Sequence, residues 1–502
     1  MLLPRLPHLS NSSHRAIAKS SLSARDRLAP HSAKNLPAFA ILPRIVQSSL
    51  PFATMPTPSS SANGTAPAPA KPKTSEKGAA KLAKFQPEGT VFSEFTGMCM
   101  KYNAVNLGQG FPTIGVPQFI RDFASQTMLQ DTLVQQYARS EGNPKLVNAL
   151  AQFYKDSLKR EVDPLTEILT TVGATEAIFS AIQAFISPGD AVILISPHYD
   201  SYPASVHLAG GRSLFVNIKP PADRDAETSD DWKVDFEEIE RLCAQEQGRV
   251  KMILLNNPNN PVGKVWTLAE LQRVADIATK YDLVVLADEV YETLVYDDAP
   301  NPMIKFATLP GMWERTLTVG SVGKTMGVTG WKIGWIVAPP EMIRTVWLVH
   351  QWVPFAIVNP LQEATALSFE HAIKTGFFEE QRKQYQELRD HLMNILTESK
   401  LSPCKPHGGY FIMSDVSHLP DPLSVPELSS SPLYADETRR DYRMCRWLVA
   451  EVGVGGIPPS PFYDSEDVKG NEIAGRYLRF AFCKSREMLD AAAQRLAALK
   501  GL

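Results

Sequence analysis

The chain has 502 residues, of which 44% are hydrophobic and 21% are charged, and its formal net charge is -3. This length is ample for two lobes around a large core, and the near-neutral charge gives no general case for binding nucleic acid or an acidic membrane surface. No stretch approaches the roughly 18 consecutive apolar residues that a membrane-spanning helix needs. We therefore expect a large soluble enzyme.

Residues 1–88 differ in composition from the rest of the chain. Asp26 is the only acidic residue from Met1 to Thr74, where arginines, lysines and serines are frequent, and a stretch rich in Pro, Ala and Ser runs from Met55 to Lys73. This composition predicts a mitochondrial transit peptide followed by a disordered linker, and hence a location in the mitochondrial matrix. A basic disordered tail is the alternative. A start at Met55 would omit the basic segment and give a cytoplasmic pool.

The remainder alternates apolar strand patterns with helical patterns, which predicts an α/β protein with a mainly parallel sheet. We assign residues 89–130 to an N-terminal arm and part of a small domain, 131–350 to a large cofactor domain, and 351–502 to a small α+β domain. Within the small domain we expect one long helical segment containing residues 362–367 and 377–396, strands at 408–412 and 477–482, and a surface loop at 420–437. Five scattered cysteines without metal-ligand spacing indicate reduced thiols in an intracellular compartment.

The first polar motif lies at residues 173–177, Gly-Ala-Thr-Glu-Ala. Apolar residues that follow it recur at helical spacing, from Ile178 to Ile186. Ala174 and Thr175 are therefore expected to present backbone amides at the start of a helix. Such a position binds phosphate, because the amides and the helix dipole both favour negative charge.

Two apolar strands further along the chain each end in polar residues. One runs into the turn Asn-Asn-Pro-Asn-Asn-Pro-Val-Gly at residues 256–263, and the other ends at Asp288, three residues before Tyr291. Ligands of open α/β sheets bind at the carboxyl ends of strands. Asn260 and Tyr291 are candidates to hydrogen-bond the phenolic oxygen of a cofactor ring. A buried Asp288 carboxylate needs a cation such as a protonated pyridine nitrogen. A turn asparagine and a helix-capping aspartate are the alternatives.

Lys324 follows a third apolar strand, in Gly-Ser-Val-Gly-Lys-Thr at residues 320–325, and Lys332 lies eight positions later. A lysine among small residues at a strand end, with a second cation nearby, suits a Schiff base to an aldehyde cofactor whose phosphate needs a counter-charge. A solvated surface lysine is the alternative. The segment also resembles the end of a phosphate-binding P-loop, but that pattern requires glycine at position 318, where threonine stands.

Taken in this order, the motifs resemble the class I, fold-type I pyridoxal phosphate-dependent aminotransferases from about residue 90 to residue 500. Residues 106–112 (Asn-Leu-Gly-Gln-Gly-Phe-Pro), 258–265 and 477–480 (Tyr-Leu-Arg-Phe) resemble the group that contains kynurenine aminotransferases, glutamine transaminase K and cysteine-S-conjugate β-lyases. The resemblance implies pyridoxal 5'-phosphate (PLP) as cofactor. It also implies a large mainly parallel α/β/α cofactor domain, a smaller α+β domain, and a homodimer with shared active sites.

The resemblance also gives roles to individual residues. It implies that Lys324 binds PLP covalently and then acts as general base, and that Asp288, Tyr291 and Asn260 hold the cofactor ring. Tyr199 matches the aromatic residue that stacks on that ring. The phosphate would be bound by Ala174, Thr175, Ser321 and Lys332, with Tyr137 reaching the phosphate of the neighbouring subunit.

For the substrate, the resemblance implies that Arg479 binds the α-carboxylate with two parallel hydrogen bonds. Asn260 and the backbone of Gly110 would also contact the substrate, and Phe92 and Phe355 are candidates for an aromatic side-chain pocket. Kynurenine is the expected amino donor, with other large neutral or aromatic amino acids, and a 2-oxo acid such as 2-oxoglutarate is the acceptor. Arg139 is the one arginine considered for a side-chain carboxylate.

Two other activities use the same residues. A cysteine-S-conjugate β-lyase would need Lys324, Asp288 and Arg479, because the same carbanion can expel a β-leaving group, and a broad glutamine or aromatic aminotransferase would differ only in its pocket walls. A non-catalytic ligand sensor is the remote alternative. The N-terminal segment shows no helix-turn-helix pattern, and the whole catalytic set is present in the sequence.

Overall fold

The fold is built on an eight-stranded sheet in a computed structural model that describes residues 74–75, 77–85, 89–130, 132–222 and 225–501. The strands are β1 (Val105–Asn106), β2 (Ile168–Val172), β3 (Ala191–Ser196), β4 (Arg212–Lys219), β5 (Lys233–Val234), β6 (Val250–Asn256), β7 (Val284–Asp288), β8 (Thr316–Ser321), β9 (Ile333–Val337), β10 (Ser402–Cys404), β11 (Phe411–Asp415), β12 (Val454–Gly455) and β13 (Tyr477–Ala481).

Helices cover both faces of this sheet. They are α1 (Val91–Lys101), α2 (Gln118–Met128), α3 (Pro144–Ser157), α4 (Gly173–Phe185), α5 (Ser201–Leu208), α6 (Phe236–Gln245), α7 (Leu268–Lys280), α8 (Val322–Thr325), α9 (Pro340–His350), α10 (Asn359–Thr375), α11 (Phe377–Glu398), α12 (Pro426–Ser429), α13 (Pro432–Ala435), α14 (Arg440–Trp447), α15 (Val468–Ala474) and α16 (Arg486–Leu496). None of the helices within the described ranges is long and apolar enough to cross a membrane.

The sheet has the strand order β2-β9-β8-β7-β6-β3-β4-β5. Its centre is parallel, because β4, β3, β6, β7 and β8 pair with one another in the same direction, whereas β9 is antiparallel to β2 and β8 and β5 is antiparallel to β4. Parallel strands require crossover connections, and helices supply them here. The predicted α/β class with a mainly parallel sheet is confirmed.

The central strands are apolar on both faces because helices cover both sides. In β3, Val192 and Leu194 belong to the core that contains Ala181 of α4. Ile193 and Ile195 point to the opposite core, which contains Leu271 of α7. Successive side chains of a strand alternate between the two faces, so a strand buried on both sides reads as a continuous apolar run. This explains why the runs before Asn256 and Asp288 contain so few polar residues.

Three neighbouring parallel strands bring their polar ends to one edge of the sheet. β6 ends at Asn256, β7 at Asp288 and β8 at Ser321. The register pairs Asn256 with Asp288 and Asp288 with Val319. The residues that follow these strand ends in the sequence are therefore neighbours in space.

A smaller antiparallel sheet, β10-β11-β13, carries Arg479 opposite Met413. Both predicted strands of this region exist, but β11 begins at Phe411 rather than at residue 408. Gly409 has φ +69°, outside the β region, so the chain cannot be extended there.

The remaining helical predictions differ from the structure in detail. Residues 362–367 and 377–396 lie in two helices, α10 and α11, because Gly376 adopts φ +73° and ends α10 in a left-handed conformation. The predicted loop at 420–437 contains the short helices α12 and α13. Within the predicted linker, Ala80–Lys84 forms a 3-10 helix, and Lys81 Nζ donates to Leu208 O at 3.3 Å. The domain boundaries at residues 130 and 350 stay predictions, and the predicted transit peptide before residue 74 lies outside the described residues.

Candidate active site

A cavity of about 360 Å³ opens at the carboxyl ends of β6, β7 and β8. All of the predicted site residues line it except Tyr137, Phe355 and Arg139. The predicted residues that line it are Phe92, Gly110, Ala174, Thr175, Tyr199, Asn260, Asp288, Tyr291, Ser321, Lys324, Lys332 and Arg479. Segments far apart in the sequence therefore meet in one place.

Lys324 lies in the short helix α8, directly after β8. Its Nζ is 2.7 Å from the hydroxyl of Tyr410 and 3.5 Å from Gly110 O. Burial disfavours the ammonium form and lowers the pKa of Lys324 to about 8. The fraction of this amine that is neutral and nucleophilic near neutral pH is therefore far larger than for an ordinary lysine, which is the property that a covalent catalyst requires.

Asp288 ends β7, with 5% of its surface exposed. Tyr202 donates its hydroxyl hydrogen to Asp288 Oδ2 at 2.5 Å, and the Val290 amide donates to Oδ1 at 3.3 Å. Burial raises the pKa of Asp288, and these hydrogen bonds oppose that rise. The carboxylate is thus oriented by two donors and would be stabilised further by a cationic ligand in the cavity.

Asn260 is fixed from two sides. Its backbone amide donates to Asn256 Oδ1 at 2.7 Å, and its own Oδ1 accepts a hydrogen bond from Arg479 Nη1 at 3.0 Å. Because Oδ1 is engaged, the side-chain NH2 is the group left to donate to a ligand.

Tyr291, which is 3% exposed, packs edge-on against Tyr410 with ring centroids 5.1 Å apart, and burial raises the pKa of its hydroxyl.

At the opposite end of the cavity, α4 begins at Gly173, which has φ +69°. A Cβ at Gly173 would lie 3.3 Å from Lys332 Nζ, so the ammonium group lies beside the helix start. Ala174 and Thr175 occupy the first turn, and Ser321 ends the adjacent strand β8. Backbone amides, a hydroxyl and an ammonium group therefore converge, as phosphate binding requires.

Glu176 shares that first turn, but its carboxylate has partners of its own. Oε2 accepts from the Val172 amide at 3.1 Å, Oε1 accepts from the Ser180 hydroxyl at 2.5 Å, and His350 Nδ1 lies 3.1 Å from Oε1. These contacts reduce the repulsion that this carboxylate would exert on an anion at the helix start.

Arg479 is only 1% exposed and lies in β13. Nη1 donates to Asn260 Oδ1 and Nη2 donates to Gly108 O, both at 3.0 Å, while Nε has no partner among the described residues. Within that same part of the chain no carboxylate forms an ion pair with Arg479, although Asp200 acts on it electrostatically. Burial lowers its pKa to about 10. A buried guanidinium without an acidic partner favours binding of an anionic ligand.

Aromatic side chains form the walls around this guanidinium. The rings of Phe411, Phe462 and Phe92 lie 4.0, 5.0 and 5.5 Å from its central carbon. Tyr199 lies 6.5 Å from Phe92, measured between ring centroids. A side chain at Gly110 would approach Phe411 Cζ to 2.7 Å, so only glycine fits there without movement.

Three residues considered from the sequence lie elsewhere. Tyr137 is 83% exposed and does not line the cavity, and it packs edge-on against Phe355, which is 57% exposed. Phe355 does not line the cavity within this chain, and its place in a substrate pocket stays a prediction. Arg139 donates to Glu141 Oε2 at 3.0 Å and to Leu165 O at 2.8 Å, so its guanidinium is engaged away from the site.

Two important neighbours were missed from the sequence. Tyr202 contacts Asp288, and Tyr410 contacts Lys324. Tyr202 follows Tyr199 by three residues at the start of α5, a spacing that could have drawn attention to it. Tyr410 directly follows two glycines before β11, a weaker signal because an aromatic residue before a strand is ordinarily core.

The profile of the family described as aminotransferase class I and II matches residues 102–496. The chain belongs to this family. Its members are transaminases and use PLP, so the chain is an aminotransferase and the family predicted from the motifs is confirmed. The roles of individual site residues stay predictions.

Individual similar proteins support the same family assignment. The kynurenine--oxoglutarate transaminase of Dictyostelium discoideum is 42% identical over 422 residues, which are 82% of this chain and 94% of that protein. Kynurenine--oxoglutarate transaminase 3 of Homo sapiens is 39% identical over 411 residues, 81% of this chain and 87% of that one. Among solved structures, Bna3p of Saccharomyces cerevisiae has a TM-score of 0.77 at 33% identity and covers 86% of this chain and 100% of its own.

The cavity of the aminotransferase fits PLP. A buried carboxylate at Asp288 suits a protonated ring nitrogen, and Lys324 suits the aldehyde. The start of α4 with Lys332 suits the phosphate, and the partnerless Nε of Arg479 shows unused capacity for a carboxylate.

Proposed function

We propose that this aminotransferase transfers the amino group of kynurenine, and of other large neutral or aromatic amino acids, to a 2-oxo acid such as 2-oxoglutarate. The product of kynurenine would cyclise to kynurenic acid. The observation that carries the proposal is the similarity to kynurenine--oxoglutarate transaminases over most of both chains. Aromatic walls at Phe92, Tyr199 and Phe411 suit the ring of such a substrate.

The geometry of the cavity supports a proposal for the residues that would hold PLP. Lys324 would bind the aldehyde, Asp288 the ring nitrogen, and Asn260 with Tyr291 the ring oxygen. Ala174, Thr175, Ser321 and Lys332 would hold the phosphate, and Tyr199 would stack on the ring. When bound, PLP supplies an electron-withdrawing ring that stabilises negative charge at the substrate α-carbon.

Side chains of the protein perform substrate binding and proton transfer. Arg479 binds the substrate carboxylate and thereby fixes the α-carbon relative to Lys324. Lys324 Nζ would take the proton from that α-carbon as a base and would then return it as an acid to carbon C4′ of the cofactor. Asp288 keeps its negative charge beside the ring nitrogen while Tyr202 holds it in place.

We expect the pH dependence of cofactor attachment to report the lowered pKa of Lys324. Only the neutral amine attacks an aldehyde, so a pKa of about 8 in place of 10.5 moves the rise in rate to lower pH. The rate of covalent PLP incorporation into cofactor-free protein should rise with pH to a midpoint near 8. The same reaction with Nα-acetyl-lysine amide is the control. Identical midpoints for protein and control would contradict the expectation.

We also propose a homodimer in which Tyr137 contacts the phosphate site of the partner. Three large side chains support this, because Leu133, Tyr137 and Trp352 are each at least 83% exposed. Asn359 Nδ2 donates to Leu133 O and Gln136 O, so the segment around Tyr137 is held against the start of α10. Exposed apolar groups of this size mark interaction surfaces.

Mixing two impaired variants tests the shared site. Lys324→Ala and Tyr137→Ala subunits should each be impaired alone, whereas a heterodimer would contain one site with both native residues. Activity recovered on refolding the mixture supports the proposal. A monomeric wild-type enzyme in sedimentation equilibrium would overturn it.

For location, we propose import into the mitochondrial matrix through the basic segment before Met55. The support is compositional. Fractionation of cells that express the tagged full-length chain should place a shortened product in the matrix, and deletion of residues 1–54 should leave the protein in the cytoplasm. Full-length protein confined to the cytoplasm would refute the proposal.

A panel of amino donors tests the substrate. We expect kynurenine with 2-oxoglutarate to give kynurenic acid, at a higher kcat/KM than glutamine, phenylalanine or methionine. A preference for glutamine would favour the broad aminotransferase. Pyruvate and ammonia released from a cysteine S-conjugate without any 2-oxo acid would favour the β-lyase.

A further inference from the structure

Tyr410 lies directly before β11 and is fully buried beneath the cavity. Its hydroxyl oxygen lies between two groups of the site, 2.7 Å from Lys324 Nζ and 2.6 Å from Gly110 O. No sequence motif pointed to this residue, and the roles proposed above do not use it. It nevertheless touches the amine that is central to the reaction.

The directions of these two hydrogen bonds follow from the chemistry of the three groups. A tyrosine hydroxyl has one hydrogen to donate, whereas a backbone carbonyl can only accept. The hydrogen of Tyr410 is directed to Gly110 O, with the Tyr291 hydroxyl as a second acceptor in reach, and the hydroxyl oxygen accepts a hydrogen from Lys324 Nζ. As a result, the hydroxyl binds an N–H of the lysine and leaves the lone pair of a neutral amine free.

The position of this hydroxyl is well defined by packing. The ring of Tyr410 contacts those of Tyr291 and Phe411, with centroids 5.1 and 4.8 Å away, and lies 6.3 Å from that of Tyr385. At the other end, Gly110 is held against Phe411, where no side chain would fit. A rigid acceptor thus lies within reach of a flexible lysine side chain.

We propose that Tyr410 is a positioning residue that holds the free amine of Lys324 beside Gly110, so that its lone pair faces the substrate α-carbon during proton transfer. This proposal rests on the proposed role of Lys324 in amino transfer. Without the hydroxyl, the amine loses its acceptor and samples more rotamers, so fewer encounters are productive. The hydrogen bonds of Arg479, which would bind the substrate carboxylate, run to Asn260 and Gly108 and not to Tyr410, so KM is expected to change little.

Tyr410→Phe tests this with a minimal change in volume. We expect the holoenzyme to keep the visible absorbance of covalently held PLP and a KM for the amino donor within about threefold of wild type. The single-turnover rate of amino transfer should fall by about 10- to 100-fold, the loss typical of one hydrogen bond to a charged or reacting group. Tyr385→Phe is the matched control, because it removes a neighbouring buried hydroxyl that does not contact Lys324.

A graded substitution guards against misfolding of the first variant. Incorporation of 3,5-difluorotyrosine at position 410 keeps the shape but makes the hydroxyl oxygen a weaker acceptor for Lys324, so it should lower the same rate by a smaller factor. Unchanged rates in this protein overturn the proposal, as does an equal loss in Tyr385→Phe. Wild-type protein that never binds PLP covalently would instead refute the proposed function.

Discussion

Lys324→Ala is expected to abolish the visible absorbance of covalently bound PLP and to lower kcat by at least about 10³-fold. The expectation follows from the two roles of one amine. It forms the covalent link, and it moves the proton, a contribution that is typically worth 10²- to 10⁴-fold for a single general base. Lys332 cannot substitute, because its Nζ lies at the start of α4, at the end of the cavity that is proposed to hold the phosphate.

The measurement combines absorbance spectra with steady-state assays on purified protein. Lys469→Ala, which removes an exposed lysine on α15, is the control and should behave as wild type. Circular dichroism should be unchanged in both variants, since a smaller side chain at position 324 removes a charge that burial disfavours. Wild-type turnover in Lys324→Ala would refute its assignment as the covalent catalyst.

Arg479→Gln is expected to lower kcat/KM for every α-amino acid by about 10²- to 10⁴-fold. The guanidinium would form two charge-assisted hydrogen bonds with the substrate carboxylate, each worth about 1.5–3 kcal/mol, and glutamine lacks both the charge and the planar fork. Most of the loss should appear in KM, because the carboxylate is bound in the ground state as well as in the transition state.

Arg476→Gln is the matched control, because Arg476 lies in the same segment but pairs with Asp415 at 2.7 Å outside the cavity. This variant should keep kcat/KM within about threefold of wild type. Amine substrates without a carboxylate distinguish a loss of carboxylate binding from general damage to the enzyme. Their already slow reaction should be nearly equal in wild type and Arg479→Gln. If Arg479→Gln impaired them as strongly as amino acids, the proposed role of Arg479 would be wrong.

Much of the site could be predicted because its residues terminate buried strands. An apolar run that ends in Asp288, or in the turn containing Asn260, predicts a ligand-binding residue, since a polar residue at the end of a parallel strand lies at the ligand-binding edge of the sheet. The start of α4 was predictable for a similar local reason, because helical periodicity begins directly after Gly173. In these cases local pattern and tertiary position agree.

Other features could not be predicted because they depend on contacts between distant segments. Tyr202 and Asp288 are 86 positions apart, and Tyr410 and Lys324 are also 86 apart. Phe355 shows a second limit of local pattern, because an aromatic residue has the right chemistry for a pocket wall but does not line the cavity within its own chain. Sequence pattern gives residue type and local structure, whereas orientation depends on neighbours elsewhere in the fold.

The sequence by itself determined the fold class, the family and the chemical groups of the site, because strand ends, the helix start and the aminotransferase motifs are local patterns. Only the tertiary structure decided how those groups are tuned. Burial lowers the pKa of Lys324 to about 8 and leaves Arg479 without an acidic partner among the described residues. Tyr202 and Tyr410 hydrogen-bond the two central polar side chains, Asp288 and Lys324. Desolvation and hydrogen-bond direction depend on everything that surrounds a group, and only the folded chain specifies those surroundings.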